Sequence, residues 1–259
     1  MTIELLFVIL CGLALGSFVT LATHRLPLGE DIVVKPSQCP SCKTKLGFKD
    51  LWPVLSWVIS GGTCRHCKNP IGVRYPLIEL ATLGVTLLVY ARFGLTFPGI
   101  CVALMGVMLL IMIIVDLKHY IIPDMVHIVL LPLGLAFHAS MGTDWNSVLL
   151  GFLAGVALGL ALHHGYRFLR KTEGLGYGDV KFFAVAGLWI TVDAFVPFMF
   201  YSGVFGVLFG LLWRMAGQGK IFPFGPALAV AMFGAVLYPQ YYNLLIIQQE
   251  IANIYNNNM

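Results

Sequence analysis

Of the 259 residues, 59% are hydrophobic and only 11% are charged, and the mean hydropathy is +0.87. A soluble domain carries charge on about a quarter of its residues, so that class is excluded and a lipid bilayer is the expected solvent. The formal charge of +4 does not point to nucleic acid, because in a membrane chain the placement of basic residues reports topology.

With about 20 apolar residues needed per crossing, the chain reads as an all-α polytopic membrane protein of eight spans. They cover residues 3–23, 75–91, 97–115, 121–138, 148–163, 180–192, 195–213 and 225–247. The first carries Glu4 and no Lys or Arg at its start. It therefore lacks the basic opening of a cleavable signal peptide and is expected to be retained. The sixth is the shortest, since Asp193 and Pro197 interrupt a longer run. Four regions follow: a first helix over 1–23, a loop over 24–74, a seven-helix region over 75–247 and an Asn-rich tail over 248–259.

The loop over 24–74 holds two cysteine pairs, Cys39-Pro-Ser-Cys42 and Cys64-Arg-His-Cys67. Two Cys-x-x-Cys turns about twenty residues apart match a tetrahedral four-thiolate zinc site, which is structural because no position is left open for a reacting water. The competing arrangement is a pair of disulfides. His66 is a possible further ligand, whereas Cys11 and Cys101 lie in apolar spans and read as small core residues. The other histidines, His24, His119, His127, His138, His163 and His164, read as interfacial side chains near span ends.

Basic residues choose the orientation. Of the 16 Lys and Arg, all but Arg92 fall on one side of the eight-span arrangement. By the positive-inside rule that side is cytoplasmic and both termini are outside. A cytoplasmic loop is reducing, which favours zinc over disulfides.

Two acidic residues then stand at the same membrane boundary. Asp116 closes the third span, and Asp179 opens the sixth within Gly174-Leu-Gly-Tyr-Gly-Asp-Val-Lys181. Alternate glycines at 174, 176 and 178 predict irregular backbone able to approach another chain closely. Asp124 lies at the same face and competes with Asp116 for the paired role, while Asp179 could instead simply cap a helix. Two carboxylates held together cannot both ionise cheaply, so one serves as base toward water while the other, protonated, polarises a carbonyl.

At these residues the sequence resembles the prepilin peptidases of bacterial type IV pilus and type II secretion systems, members of the Gly-x-Gly-Asp class of membrane aspartyl proteases. The resemblance runs through Gly16-Ser17-Phe18, His24-Arg25-Leu26-Pro27, the cysteine pairs, Leu55-Ser56-Trp57 and Arg74-Tyr75-Pro76-Leu77-Ile78-Glu79-Leu80. It continues through Asp116, Ile122-Pro123-Asp124, Gly176-Tyr177-Gly178-Asp179-Val180-Lys181 and Pro223-Phe224-Gly225-Pro226.

The resemblance implies that Asp116 and Asp179 are the catalytic pair, with Gly176, Gly178, Lys181 and Asp124 in support. It implies removal of a short basic leader from prepilins or pseudopilins after a glycine, at the cytoplasmic face of the inner membrane. It also implies methylation of the new N-terminal amine from S-adenosylmethionine, an activity associated with the segment that includes the zinc loop. The chain has Val19-Thr20 where the family usually has Leu-Asn, which bears on methylation. Glu79 and Asp124 are acidic residues that a basic leader could meet. The alternatives are a peptidase without methyl transfer, a proton- or metal-coupled transporter, and a non-enzymatic assembly factor docking through its zinc loop.

Overall fold

The computed structural model describes residues 3–171, 176–219 and 222–239. Among them every regular element is helical, with only isolated bridges at Gln38–Lys45 and Thr63–Pro70. The chain divides into two compact units, Met1–Gly99 and Ile100–Met259.

In the first unit, α1 (Ile3–Arg25) packs along α3 (Arg74–Phe93). Small residues set the approach, because lipid gives no hydrophobic drive between spans and close backbone contact must supply the attraction. A Cβ on Gly16 would stand 2.7 Å from Glu79 Cα. Thr82 and Thr86 are buried in the same face and return their hydroxyls to the Ile78 and Leu83 carbonyls.

The intervening loop is tied down from inside. Arg25 is buried, and its guanidinium donates to the carbonyls of Asp31, Lys35 and Pro36 at 2.7 to 2.9 Å. A short helix α2 (Leu55–Ile59) follows Val54, whose φ of 61° is unusual for a β-branched residue. The buried Glu79 carboxylate accepts the Val54 N–H at 2.7 Å, and Trp57 Nε1 donates to the Ile71 carbonyl at 2.9 Å.

The second unit holds α4 (Phe97–His119), whose first residues precede the boundary, then α5 (Asp124–Met141), α6 (Trp145–Arg170), α7 (Tyr177–Ile190), α8 (Phe195–Met215) and α9 (Gly225–Leu237). Its centre is α7. Every residue from Phe182 to Ile190 is buried, because α5, α6 and α9 all pack against this helix. Gly151, Gly155 and Gly159 recur every fourth residue along α6 and let the α7 backbone come into contact: a Cβ on Gly155 would lie 2.1 Å from the Phe183 carbonyl oxygen. Polar side chains stitch α5 to the far end of α7. His138 Nε2 lies 2.9 Å from the Leu188 carbonyl oxygen and its Nδ1 3.1 Å from Thr143 Oγ1, while Trp189 Nε1 donates to the Leu130 carbonyl at 2.9 Å.

Six helices among the described residues are long and apolar enough to cross a membrane: α1, α3, α4, α5, α6 and α8. The other two expected spans differ in length. With 14 residues, α7 rises about 21 Å against a hydrocarbon thickness of about 30 Å. The segment expected over 225–247 is helical over Gly225–Leu237, and its remainder past residue 239 lies outside the described residues, as do Gly174, Lys220 and the tail over 248–259. The expected irregular backbone is corrected at Gly178. The helix starts at Tyr177, placing Gly178 and Asp179 within its first turn.

Candidate active site

Asp116 sits one turn from the C-terminal end of α4 and is 5% exposed. Its Oδ2 accepts the Gly225 N–H at 2.8 Å. Gly225 is the first residue of α9, with Pro226 behind it. The carboxylate therefore faces a helix N-terminus, where unpaired N–H groups and the positive end of the backbone dipoles favour an acceptor. Only glycine allows this approach, since a Cβ there would stand 2.5 Å from Asp116 Oδ2.

Asp179 comes from the start of α7. Gly176 is the residue before the first helical turn, in extended conformation, and Asp179 is the third helical residue. It does not cap the helix from the preceding position. Its carboxylate turns back toward Gly176, where a Cβ would lie 3.4 Å from Oδ2. Asp179 is half-buried and lies within electrostatic reach of Asp116, with no direct hydrogen bond between the two carboxyls among the described residues. Both acids belong to the second unit, at the end of α4 and the start of α7.

Asp124 and Lys181 are brought together in a different arrangement. Lys181 Nζ lies 2.6 Å from Asp124 Oδ1, linking the first turns of α7 and α5, with side chains 52% and 68% exposed. An exposed pair of this kind contributes about 0.2 to 1 kcal/mol. Asp124 is thus engaged by Lys181 and Glu79 by the Val54 N–H. Gly178 permits a further close approach, as a Cβ there would lie 3.2 Å from Ile122 Cβ.

In the first unit, Cys39, Cys42, Cys64 and Cys67 place their sulfurs within 4.8 Å of one another, all unbridged. The two turns repeat one pattern. Lys43 N–H donates to the Cys39 carbonyl and Lys68 N–H to the Cys64 carbonyl, both at 2.9 Å, with Lys43 and Lys68 left-handed at φ 59° and 60°. Cys39 Sγ and Cys67 Sγ are 3.9 Å apart, near the edge of about 3.8 Å that a tetrahedron of 2.3 Å zinc–sulfur bonds requires. The Thr44 hydroxyl, 3.3 Å from Cys42 Sγ, and the Thr44 N–H pull the Cys42 thiol down to about 6. Backbone N–H groups of Cys67 and His66 lower Cys64. These donors suit thiolates, and the set fits a divalent metal. His66 is exposed and outside the cluster. Thr20, where the family usually has Asn, donates its hydroxyl to the Ser17 carbonyl at 2.6 Å within its own helix.

Two residues escaped the sequence reading of the site. Gly225 stood within the Pro223-Phe224-Gly225-Pro226 motif but without a role. His127 carried no signal, being one histidine among several near span ends.

A helical membrane protein with a carboxylate pair inside one unit and a four-cysteine cluster in another is the class that fold and site define. Two family models match the chain, the Bacterial Peptidase A24 N-terminal domain over residues 10–93 and the Type IV leader peptidase family over residues 103–211. Curated relatives span nearly the same length. The "Prepilin leader peptidase/N-methyltransferase" of Burkholderia pseudomallei (strain K96243) is 31% identical, over 94% of this chain and 88% of the relative. Proteins of the same name from Pseudomonas aeruginosa and Bacillus subtilis (strain 168) are 32% and 34% identical. The alignments cover 89% and 88% of this chain and 89% and 91% of those proteins. No solved structure matches. The chain belongs to the type IV leader peptidase family.

Proposed function

We infer that this protein is a membrane aspartic endopeptidase that removes the short basic leader of type IV prepilins or type II secretion pseudopilins after a glycine, and then methylates the new N-terminal amine with S-adenosylmethionine. The observation that carries the peptidase reading is the match to the leader peptidase family, and a buried Asp116 within electrostatic reach of Asp179 supports it.

The chemistry follows from the pair. One carboxylate takes a proton from water as the water oxygen attacks the scissile carbonyl carbon, and the other, protonated, donates to the carbonyl oxygen. Collapse of the tetrahedral intermediate breaks the C–N bond, with a proton passing to the leaving nitrogen. The Gly225 N–H holds Asp116 by Oδ2, which leaves Oδ1 to face the water. Gly176, exposed beside the Asp179 carboxyl, leaves room there for an extended substrate backbone, while Gly178 lets Ile122 pack against the turn. Lys181 and Asp124 support that turn.

Eight spans, with α7 and α9 completing the six long helices, put both acids at the cytoplasmic face of a bacterial inner membrane and both termini in the periplasm. The positions of the basic residues support this orientation. Zinc held by Cys39, Cys42, Cys64 and Cys67 would fold the loop without taking part in proteolysis. Cys42→Ser is expected to lose bound zinc in elemental analysis and to lower the level of folded protein, because metal binding is folding free energy at such a site. Wild-type protein purified without zinc would contradict this.

The test of function is mass analysis of a prepilin incubated with the purified protein and S-adenosylmethionine. The expected product is cut after the glycine and carries one added methyl. An uncut substrate overturns the reading. A product cut but unmethylated leaves a peptidase alone, consistent with the Thr20 hydroxyl being engaged within its own helix. No observation favours the transporter or the assembly-factor reading.

A further inference from the structure

His127 is 5% exposed, yet neither ring nitrogen has a hydrogen-bond partner among the described residues. Native proteins seldom leave a buried polar group unpaired, because its lost hydration is not replaced. The ring packs edge-on against Phe182 of α7, with centroids 6.4 Å apart. The Gly178 carbonyl, one residue before Asp179, lies beside it, outside hydrogen-bond geometry. A helical carbonyl bonded to its own helix keeps a second lone pair for such a donor.

The same helix shows what that donor does elsewhere. His138 lies eleven residues, or about three turns, further along α5, and so on the same face. Its ring already bonds a helical carbonyl of α7, that of Leu188. His127 stands in the equivalent place for Gly178, ten residues before Leu188, at the end of α7 that bears the aspartate. The far end of α7 is thus bonded to α5 through buried side chains. The aspartate end is held by the exposed Lys181–Asp124 pair.

We propose that His127 is a positioning residue for the peptidase reaction, donating a ring N–H to the Gly178 carbonyl and so fixing the turn that points Asp179 at Asp116. This rests on the peptidase reading for its kinetic consequence, but not for its structural one. A bond aimed at the turn and remote from the substrate backbone should act on the chemical step more than on binding.

The experiment compares wild type, His127→Phe and His127→Asn in full-length protein. Phenylalanine keeps the ring packed on Phe182 and removes the donor, whereas asparagine keeps a donor. Prepilin cleavage is expected to fall about tenfold in kcat for His127→Phe, with KM within about twofold, and His127→Asn should recover most of the loss. Amide exchange over 180–183 should quicken in His127→Phe while exchange near Leu188, held by His138, stays unchanged. Wild-type kcat and exchange in His127→Phe overturn the proposal. So does a loss that asparagine fails to rescue, or one spread evenly along α7. If wild type cuts no prepilin but His127→Phe still loosens only this turn, the latch stands and the peptidase reading fails.

Discussion

Asp116→Ala and Asp179→Ala are each expected to reduce leader cleavage by about a thousandfold or more, while the protein still accumulates in the membrane. Positioned acid and base groups contribute about 10² to 10⁴ each. Here the two roles belong to one pair, so removing either carboxylate removes both the activation of water and the polarisation of the carbonyl. The losses should therefore not multiply, and the double variant should be about as inactive as either single one. Asp116→Asn is the sharper case. It keeps the shape beside the Gly225 N–H, 2.8 Å from Oδ2, so folding should be least disturbed while the ionisable carboxyl is lost. Asp124→Ala is the contrast, because it removes only the exposed partner of Lys181. Its activity is expected to fall modestly. Cleavage by purified protein, scored by mass, decides: full activity in Asp179→Ala, or a loss in Asp124→Ala as large as in Asp116→Ala, would mean another pair does the chemistry.

Gly187→Ala is expected to have the largest effect on folding. The added Cβ would lie 2.0 Å from the Gly151 carbonyl oxygen and 2.7 Å from its carbon, and the reciprocal Cβ on Gly151 would lie 2.3 Å from the Gly187 oxygen. Carbon and backbone atoms rest at about 3.5 to 4 Å, and neither partner here is a side chain that can swing away. α6 and α7 must separate, and with α5 and α9 packed on the other sides of α7 the separation opens voids elsewhere. Overpacking of this kind costs about 1 to 3 kcal/mol, occasionally more. It should appear as a lower midpoint of thermal unfolding and reduced yield. Gly203→Ala on α8 meets nothing within 4 Å and should leave the midpoint unchanged. Equal behaviour of the two variants would refute the packing argument.

Much of this was legible because it rests on one-dimensional signals. Apolar runs bounded by charge mark the spans, and six of the eight expected segments are helices of crossing length. The Cys-x-x-Cys spacing foretold the cluster, since four thiolates in two tight turns have few other ways to be satisfied. Acidic residues at the ends of two apolar runs, both on the basic-rich side, single out Asp116 and Asp179 as a candidate pair, and the family resemblance chooses Asp116 over Asp124. What stayed hidden depends on contacts between distant segments. Nothing in the order of residues shows that Gly225 is brought, across 109 positions, to the carboxylate of Asp116. Burial of His127 is decided by α7, which lies some fifty residues on. The glycines before Asp179 suggested irregular backbone because glycine weakens helices. In the folded chain Gly178 instead admits Ile122 to a regular first turn, so packing outweighed propensity there.

The burial of α7 on every side also bears on how the protein is made. A segment of 14 residues carrying Asp179 and Lys181 is too short to cross the hydrocarbon unaided and costly to expose to lipid. It is expected to wait beside the insertion machinery until α6 can receive it across the Gly151, Gly155 and Gly159 face, the pair partitioning together as a helical hairpin. α9 emerges later still, bringing the Gly225 N–H. A partly synthesised chain would then carry Asp116 at the end of α4 without its partner acid or its helix N-terminus, and nascent protein would be catalytically silent until α9 docks.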